Sequence, residues 1–279
     1  MFAGVDLARR IEAGTCKLHE ESARQAARRL GQCVFARPLA GGVAVYAEPG
    51  SPLNKIAGLG FGGALGETEI GEIEQAYAQR GCAVQVELSS LGDPAIGAML
   101  SRRGYVLMGH EHVLGLPLRP EELKPRSPVA REIEVTLSDK HDFEKWLDVV
   151  VSGFASPDDQ GIASHESFPR DVIRNCMADM CAVPGFARYM AGLGGEPAGG
   201  ASLYTGAGIA QLCGAATLPQ HRRKGVQTAL FETRLCDAAA TGCDLAVITT
   251  MPGSKSQENA QRRGFALLYS RAVMVKPAE

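Results

Sequence analysis

Apolar and polar positions follow two different periods in the C-terminal part of the chain. Residues 209–218 form a short apolar run between Gly208 and Pro219, which is typical of a mostly buried strand. Residues 226–235 instead place apolar side chains at the spacing of a helix. The pattern therefore predicts a strand, a tight turn and a helix in that order.

The turn between this strand and helix is basic. Arg222, Arg223 and Lys224 precede Gly225, which allows a ligand to approach the backbone closely. The first turn of a helix has N–H groups without partners inside the helix, and the helix dipole adds partial positive charge there. A phosphate fits both features, although the same residues also suit a solvated basic helix start on any α/β domain.

Further elements are predicted on both sides of this stretch. Ser138 stands at the N-cap position of a helix predicted over 139–151. The other predicted C-terminal elements are strands over 133–137, 187–193, 198–204 and 245–250, helices over 169–180 and 256–263, and closing strands over 265–270 and 272–276.

The N-terminal part has a similar succession of elements. Residues 58–63 contain a formal Gly-x-Gly-x-x-Gly, which could mark a dinucleotide-binding turn before the helix that follows. The preceding elements are helices and antiparallel strands rather than a βαβ unit, so this interpretation is disfavoured. The predicted elements are helices over 6–11, 20–30 and 93–103, and strands over 33–36, 42–47, 55–61, 83–89, 105–108 and 111–116.

Two motifs resemble those of a known family. Arg222-x-x-Gly225-x-Gln227 resembles the Gln/Arg-x-x-Gly-x-Gly/Ala signature of the GCN5-related N-acetyltransferases (GNAT family), in which this turn cradles the pyrophosphate of acetyl-CoA. The chain departs from the signature at Gln227, where the family has a small residue. Gln227 must therefore point away from the ligand or donate to it.

The second motif lies near the C-terminus. Asn259-x-x-Arg262-x-Gly264-Phe265 resembles the family motif in which a helix flanks the CoA arm. Many members carry a tyrosine five residues before the phenylalanine, and it protonates the leaving thiolate. Ala260 occupies that position, so the usual general acid is absent from its usual place.

The two halves of the chain repeat. Residues 102–105 (Arg-Arg-Gly-Tyr) parallel residues 262–265 (Arg-Arg-Gly-Phe), and each group follows a short helix and precedes closing strands. Residues 117–128 carry four prolines, a linker composition. With the resemblance, this implies an α/β (α+β) fold of two tandem GNAT-like lobes, each a mixed, largely antiparallel sheet flanked by helices. We expect a degenerate lobe over 1–118, in which 62–66 replace the basic turn, a linker over 119–130, and an acetyltransferase domain over 131–279.

The resemblance implies that acetyl-CoA is the co-substrate and that an amine attacks its thioester directly. A backbone N–H near Ala216 to Leu218 would face the developing oxyanion. Glu166, Tyr204 and Tyr269 are candidates for proton transfer, although each also suits an ordinary loop or core position. The residues expected to contact acetyl-CoA are Ala216, Thr217, Leu218, Arg222, Arg223, Lys224, Gly225, Val226, Gln227, Thr228 and Asn259.

The sequence thus favours an N-acetyltransferase acting on an unidentified small-molecule or peptide amine. A non-catalytic acyl-CoA sensor or scaffold is the alternative, because the central strand carries no acid and Ala260 replaces the tyrosine. Binding of RNA or another polyanion is disfavoured because the basic run is short and lacks interleaved aromatic residues.

Composition narrows the expectations. The 279 residues carry a net charge of −2, which argues against a general nucleic-acid binder. The eight cysteines include no Cys-x-x-Cys pair, no apolar run is long enough to span a membrane, and the N-terminus lacks the layout of a signal peptide. We expect a cytoplasmic protein with reduced cysteines, no metal and no membrane contact, whose oligomeric state the sequence does not reveal.

Overall fold

The computed structural model describes residues 1–119, 132–156 and 168–278. Within these ranges the N-terminal half runs α1 (Val5–Leu30), β1 (Phe35–Leu39), β2 (Gly42–Tyr46), β3 (Lys55–Ala57), α2 (Glu67–Ala78), β4 (Val84–Ser89), α3 (Pro94–Arg102) and β5 (Val106–Pro117). The C-terminal half runs β6 (Ile133–Leu137), α4 (Phe143–Phe154), α5 (Arg170–Cys181), β7 (Phe186–Leu193), β8 (Glu196–Gly206), β9 (Ile209–Thr217), α6 (Val226–Ala240), β10 (Leu245–Thr250), α7 (Lys255–Arg262) and β11 (Ala266–Lys276).

All eleven of these strands join in one sheet, in the order β1-β2-β3-β4-β11-β5-β10-β9-β8-β7-β6. Only β3–β4 and β9–β10 pair in parallel. The predicted α/β fold with a mixed, largely antiparallel sheet is therefore confirmed.

The expectation of a separate sheet in each lobe is wrong, because the last strand of each half is exchanged. Strand β5 pairs with β10 over 112–117, and β11 pairs with β4 over 271–276. The two exchanged strands also pair with each other. Each half therefore completes its sheet with a strand from the other half, and the domain boundary at 119–130 stays a prediction.

Helix α1 is one helix of 26 residues, whereas the sequence pattern predicted two separate helices. The polar residues that interrupt its apolar pattern include Glu12, Thr15 and His19. Glu12 and Thr15 are buried against the sheet, where both contact Arg271 of β11. The prediction failed because Arg271, the partner that allows these polar side chains to be buried, lies on a strand far away in the sequence.

Strands β5 and β11 are also continuous, although each was predicted as two. The pairing of β11 with β5 shifts register between Leu267 and Tyr269, and again between Val273 and Met274. Such irregularities break the two-residue alternation that identifies a strand in a sequence. The apparent strand breaks are therefore bends within long strands.

Helix α4 starts at Phe143, four residues later than predicted. The carboxylate of Asp139 accepts hydrogen bonds from the N–H groups of His141 and Asp142, which forms a turn before the helix. Ser138 makes no capping bond, so its prediction as the N-cap is wrong.

A buried ionic cluster lies where the halves meet. The Nε of Arg271 donates to Glu12 at 2.8 Å, and its Nη1 lies 3.5 Å from carboxylate oxygens of both Glu87 and Glu111. Lys55 of β3 also pairs with Glu87 at 2.5 Å. Burial would raise the pKa of Glu87, but the charges of Lys55 and Arg271 outweigh it and lower this pKa to about 2. The cluster ties α1, β3, β4, β5 and β11 together.

Candidate active site

The parallel strands β9 and β10 separate after a short paired stretch. They pair only where residues 245–247 face residues 209–211. Beyond Gln211 and Val247, β9 continues to Thr217 beside β8, while β10 continues to Thr250 beside β5. A gap therefore opens in the sheet, and beyond Gln211 none of the described strands pairs with this side of β9.

Strand β9 carries a bulge within this unpaired part. Its pairing with β8 runs from Gly200–Ala216 to Ser202–Cys213, so two residues of β9 oppose Ala201 alone. Gly214 has a φ of 38°, which few residues other than glycine adopt. A bulge breaks the hydrogen-bond ladder locally and redirects the backbone that follows it.

A cleft of about 1310 Å³ lies against this part of β9 and the N-terminal end of α6. Its size matches or exceeds that of ordinary ligand pockets. Nine of the eleven residues predicted to contact acetyl-CoA line it, namely Ala216, Thr217, Arg222, Arg223, Gly225, Val226, Gln227, Thr228 and Asn259. Leu218 and Lys224 are not among the lining residues, so their contacts with acetyl-CoA stay predictions.

The basic turn has the backbone geometry of an anion site. Gly225 is the N-cap of α6 in the left-handed conformation, with a φ of 88°. Because glycine has no side chain, nothing of it caps the first N–H groups of α6. The structure therefore leaves the start of α6 open towards the cleft, with the exposed side chains of Arg223 and Lys224 beside it.

Arg222 points to the opposite wall. Its Nη2 donates to the carbonyl oxygens of Gly153 and Ser156 at the end of α4, the first of these at 3.4 Å. The guanidinium thus holds the basic turn against α4. Its direct contact with a pyrophosphate stays a prediction.

Gln227 is the position at which the chain departs from the family signature, and its side chain forms a hydrogen bond across the cleft. Its side-chain oxygen accepts a hydrogen bond from Nδ2 of Asn259, which α7 supplies. Both residues line the cleft. Gln227 therefore lines the cleft with its side-chain oxygen engaged by Asn259. Donation from its amide nitrogen to a ligand stays a prediction.

Neither of the two described proton-transfer candidates, Tyr204 and Tyr269, lies on the cleft wall. Tyr204 is buried beside Leu18 and Val183, on the α1 side of the sheet. Tyr269 donates its hydroxyl proton to Glu12 at 2.7 Å, and burial followed by the Glu12 charge raises its pKa well above the usual value. Glu166 lies outside the described residues. The proposed roles of all three stay predictions.

Sequence reasoning missed two basic residues of α7. Lys255 and Arg262 line the cleft together with Asn259. Their spacing of four and three residues places all three on one helix face, and this signal was available in the sequence. Ala260, by contrast, is fully buried in the core. The position where the family often has a tyrosine therefore faces away from the cleft.

Comparisons with known proteins agree with this geometry. Residues 155–265 match the model of the Acetyltransferase (GNAT) family, which confirms the resemblance over that segment. No curated protein matches the chain. Across the described ranges, no helix has the length and hydrophobicity to cross a membrane.

Several solved structures have a similar fold over nearly the whole chain. A GCN5-related N-acetyltransferase from Kribbella flavida is 17% identical, with a TM-score of 0.64 over 92% of this chain and 96% of that one. A tandem GNAT protein from the clavulanic acid biosynthesis pathway is 12% identical, with a TM-score of 0.60 over 95% and 94%. A GCN5-related N-acetyltransferase from Sphaerobacter thermophilus is 12% identical, with a TM-score of 0.59 over 97% and 94%. At these identities the likeness establishes a GNAT-like fold.

Proposed function

We propose that the protein is an acetyl-CoA-dependent N-acetyltransferase whose C-terminal half carries the active site. The observation that carries the proposal is the separation of β9 from β10 beside an uncapped, basic helix start. This arrangement offers an anion site for the pyrophosphate and a route between the strands for the acyl arm. It lies within the segment that matches the GNAT family model.

In the proposed reaction an amine attacks the thioester carbonyl directly and releases CoA. Backbone N–H groups of β9 near Ala216 stabilise the oxyanion as it forms. The attacking amine first loses a proton to water or to a base. The described lining of the cleft contains no carboxylate and no tyrosine, so the proposal assigns no side chain to either proton transfer.

A second candidate function has a specific observation in its favour. Ala260 is buried, and the described cleft wall offers neither a tyrosine nor a carboxylate. A protein that binds acyl-CoA without turning it over, as a sensor or scaffold, needs neither group. If the protein is an enzyme, the amine that it acetylates belongs to a small molecule or to a peptide.

Calorimetric titration with acetyl-CoA tests the binding that both functions require. We expect one site per chain, and we expect Gly225→Asp to weaken binding at least about a hundredfold, about 2.7 kcal/mol. The substitution places a side chain and a negative charge at the anion site. Gly242→Asp is the matched control, because Gly242 also has a positive φ of 81°, has open space around it and is not among the lining residues of the cleft.

Release of the CoA thiol, measured over a panel of small and peptide amines, then separates the two functions. Turnover that Gly225→Asp abolishes supports the enzyme. Tight binding without turnover on any amine of the panel supports the sensor or scaffold. Absence of binding at millimolar acetyl-CoA contradicts both.

A further inference from the structure

Side chains satisfy the backbone carbonyls at the bulge of β9. The carbonyl of Ala201 accepts a hydrogen bond from the indole nitrogen of Trp146 at 3.3 Å. The carbonyls of Ser202 and Cys213 accept from Nη1 of Arg234 at 3.0 and 3.4 Å. Because a bulge disrupts the strand ladder, these side chains supply donors where the regular pairing of β8 and β9 is interrupted.

The two donors reach the bulge from opposite faces of the sheet. A side chain at Gly200 would point at Trp146 and Val150 of α4, whereas Ala201 packs in the core around α6. Neighbouring residues of a strand face opposite sides. Trp146 therefore approaches from the α4 face and Arg234 from the α6 face, and together they fix the bulge between them.

Arg234 is an unusual residue for this position. Its side chain is 0% exposed, and its Nε is anchored to the carbonyl of Leu230 one helical turn earlier. Among the described residues no carboxylate lies within ion-pair distance of it. Burial lowers its pKa to about 10, so it stays protonated at neutral pH. Because an isolated buried charge is costly, its three backbone carbonyls and the ring of Phe231, whose centroid lies 5.2 Å from the guanidinium carbon, offset this cost.

The bulge and the cleft are adjacent in the chain. Ala215, Ala216 and Thr217, which follow Gly214 directly, line the cleft where β9 has lost its β10 neighbour. The guanidinium also polarises the peptide group between Cys213 and Gly214 through its carbonyl, which makes the N–H of Gly214 a stronger donor. A preorganised positive charge behind such donors stabilises an oxyanion more than mobile water does.

We infer that Arg234 is a positioning residue for acyl transfer, which rests on the proposed function. Its guanidinium holds the bulge of β9 so that the following backbone N–H groups meet the thioester oxygen, and its charge strengthens the N–H of Gly214 as a donor. Trp146 supports the same bulge from the other face. Neither residue lines the cleft, and both act through the backbone of β8 and β9.

The ¹³C resonance of the carbonyl of [1-¹³C]acetyl-CoA tests this inference, because hydrogen bonding to the oxygen displaces the resonance on binding. We expect Arg234→Met to lose at least half of the displacement seen with the wild type. The dissociation constant should change by less than about threefold, since the basic turn is untouched. Arg234→Lys, which keeps the charge and can still donate to the carbonyls, should retain most of the displacement. Arg263→Met is the control, because Arg263 is tied to Glu232 of α6 but lies outside the cleft.

The outcomes separate the inference from the proposed function. If wild type binds acetyl-CoA and Arg234→Met shows the full displacement, the inference is overturned and the function stands. If wild type does not bind acetyl-CoA, both are overturned. If circular dichroism shows that Arg234→Met is unfolded, Trp146→Phe replaces it, since it keeps an aromatic ring but removes the N–H that donates to Ala201. A reduced displacement in Trp146→Phe supports the inference, and an unchanged one overturns it.

Discussion

The two halves use the same succession of elements, but the connection from strand to helix differs between them. In the C-terminal half, residues 218–225 join β9 to α6, and most of them line the open cleft. In the N-terminal half, residues 58–66 join β3 to α2, and their backbone packs against neighbouring backbone. One connection thus leaves room for a ligand, whereas the other fills the corresponding space.

Close backbone contacts fill the space in the N-terminal half. The N–H of Asp93, at the start of α3, donates to the carbonyl of Gly60 at 3.2 Å. A side chain at Gly60 would come within 2.6 Å of that nitrogen, and one at Gly41 would collide with the backbone of Gly62. Leu59 is fully buried in the core beneath. The connection therefore closes over the end of β3.

This contrast explains the Gly-x-Gly-x-x-Gly pattern at residues 58–63. Gly58 and Gly60 have φ values of 74° and 90°, and both lie where a side chain would collide with neighbouring atoms. Because glycine has no side chain, the backbone at these two positions can pack closely against neighbouring segments. The pattern resembles a phosphate-binding turn because both purposes need glycine at positive φ and close approach of the backbone.

The strands also differ in length and charge. Strand β3 has three residues and ends before any bulge, whereas β9 has nine. Lys55 of β3 belongs to the buried ionic cluster, whereas Gln211 and Cys213 on β9 are uncharged. In the N-terminal half, packing contacts and ion pairs occupy this region. This supports the proposal that the N-terminal copy of the fold does not bind acetyl-CoA.

The largest effect on stability is expected for a substitution at Gly60, in the connection between β3 and α2. Gly60→Ala should lower the free energy of unfolding by about 3 kcal/mol, because the new methyl group meets the backbone of Asp93 at a positive φ. Gly63→Ala is the matched control. Gly63 has a φ of 112° but open space around it, so about 1 kcal/mol is expected from backbone strain alone. Urea denaturation measures both, and equal losses would contradict a closed connection.

An intermediate effect is expected from acidification. The ring nitrogen Nδ1 of His19 is buried, and burial followed by the Lys55 charge lowers the pKa of His19 to about 4 from 6.5. The folded state therefore favours the neutral ring. Its contribution is fully present above pH 6.5 and is lost as the pH falls from 6.5 to about 4, because the unfolded chain binds the proton first.

We expect this to cost about 2 kcal/mol of unfolding free energy between neutral pH and pH 5. Below that range, protonation of Glu87 removes a further contribution as the pH falls from 4.5 towards 2. Urea midpoints measured across this range should fall less steeply in His19→Gln than in wild type. An identical slope in both would show that His19 does not carry the effect.

The smallest effect concerns the amide pair across the cleft. Since acetyl-CoA would have to pass between α6 and α7, we expect Gln227→Ala to raise its affinity by about threefold, less than 1 kcal/mol. Asn259→Ala should have the same effect, and the double variant should add little because both changes remove one hydrogen bond. Calorimetry of the three variants measures this. Weaker binding in either single variant would mean that the amide contacts the ligand.

The sequence by itself determined the elements that local physics specifies. Strand β9 and helix α6 follow from their apolar spacing, and the basic turn at Arg222 to Gly225 from residue types that suit an anion. The boundaries of β6 and β10 were predicted to the residue. Most of the predicted acetyl-CoA contacts line one cleft because consecutive residues of a turn stay close together in any fold.

Only the tertiary structure decided the features that depend on residues far apart in the chain. The exchange of β5 and β11, the single helix α1 and the bond between Gln227 and Asn259 all join segments that no local pattern relates. The same holds for Arg234, whose spacing in α6 is that of an ordinary core position although its partners lie on β8 and β9. Local propensity identifies elements, whereas the partners of a buried polar group are decided when those elements pack.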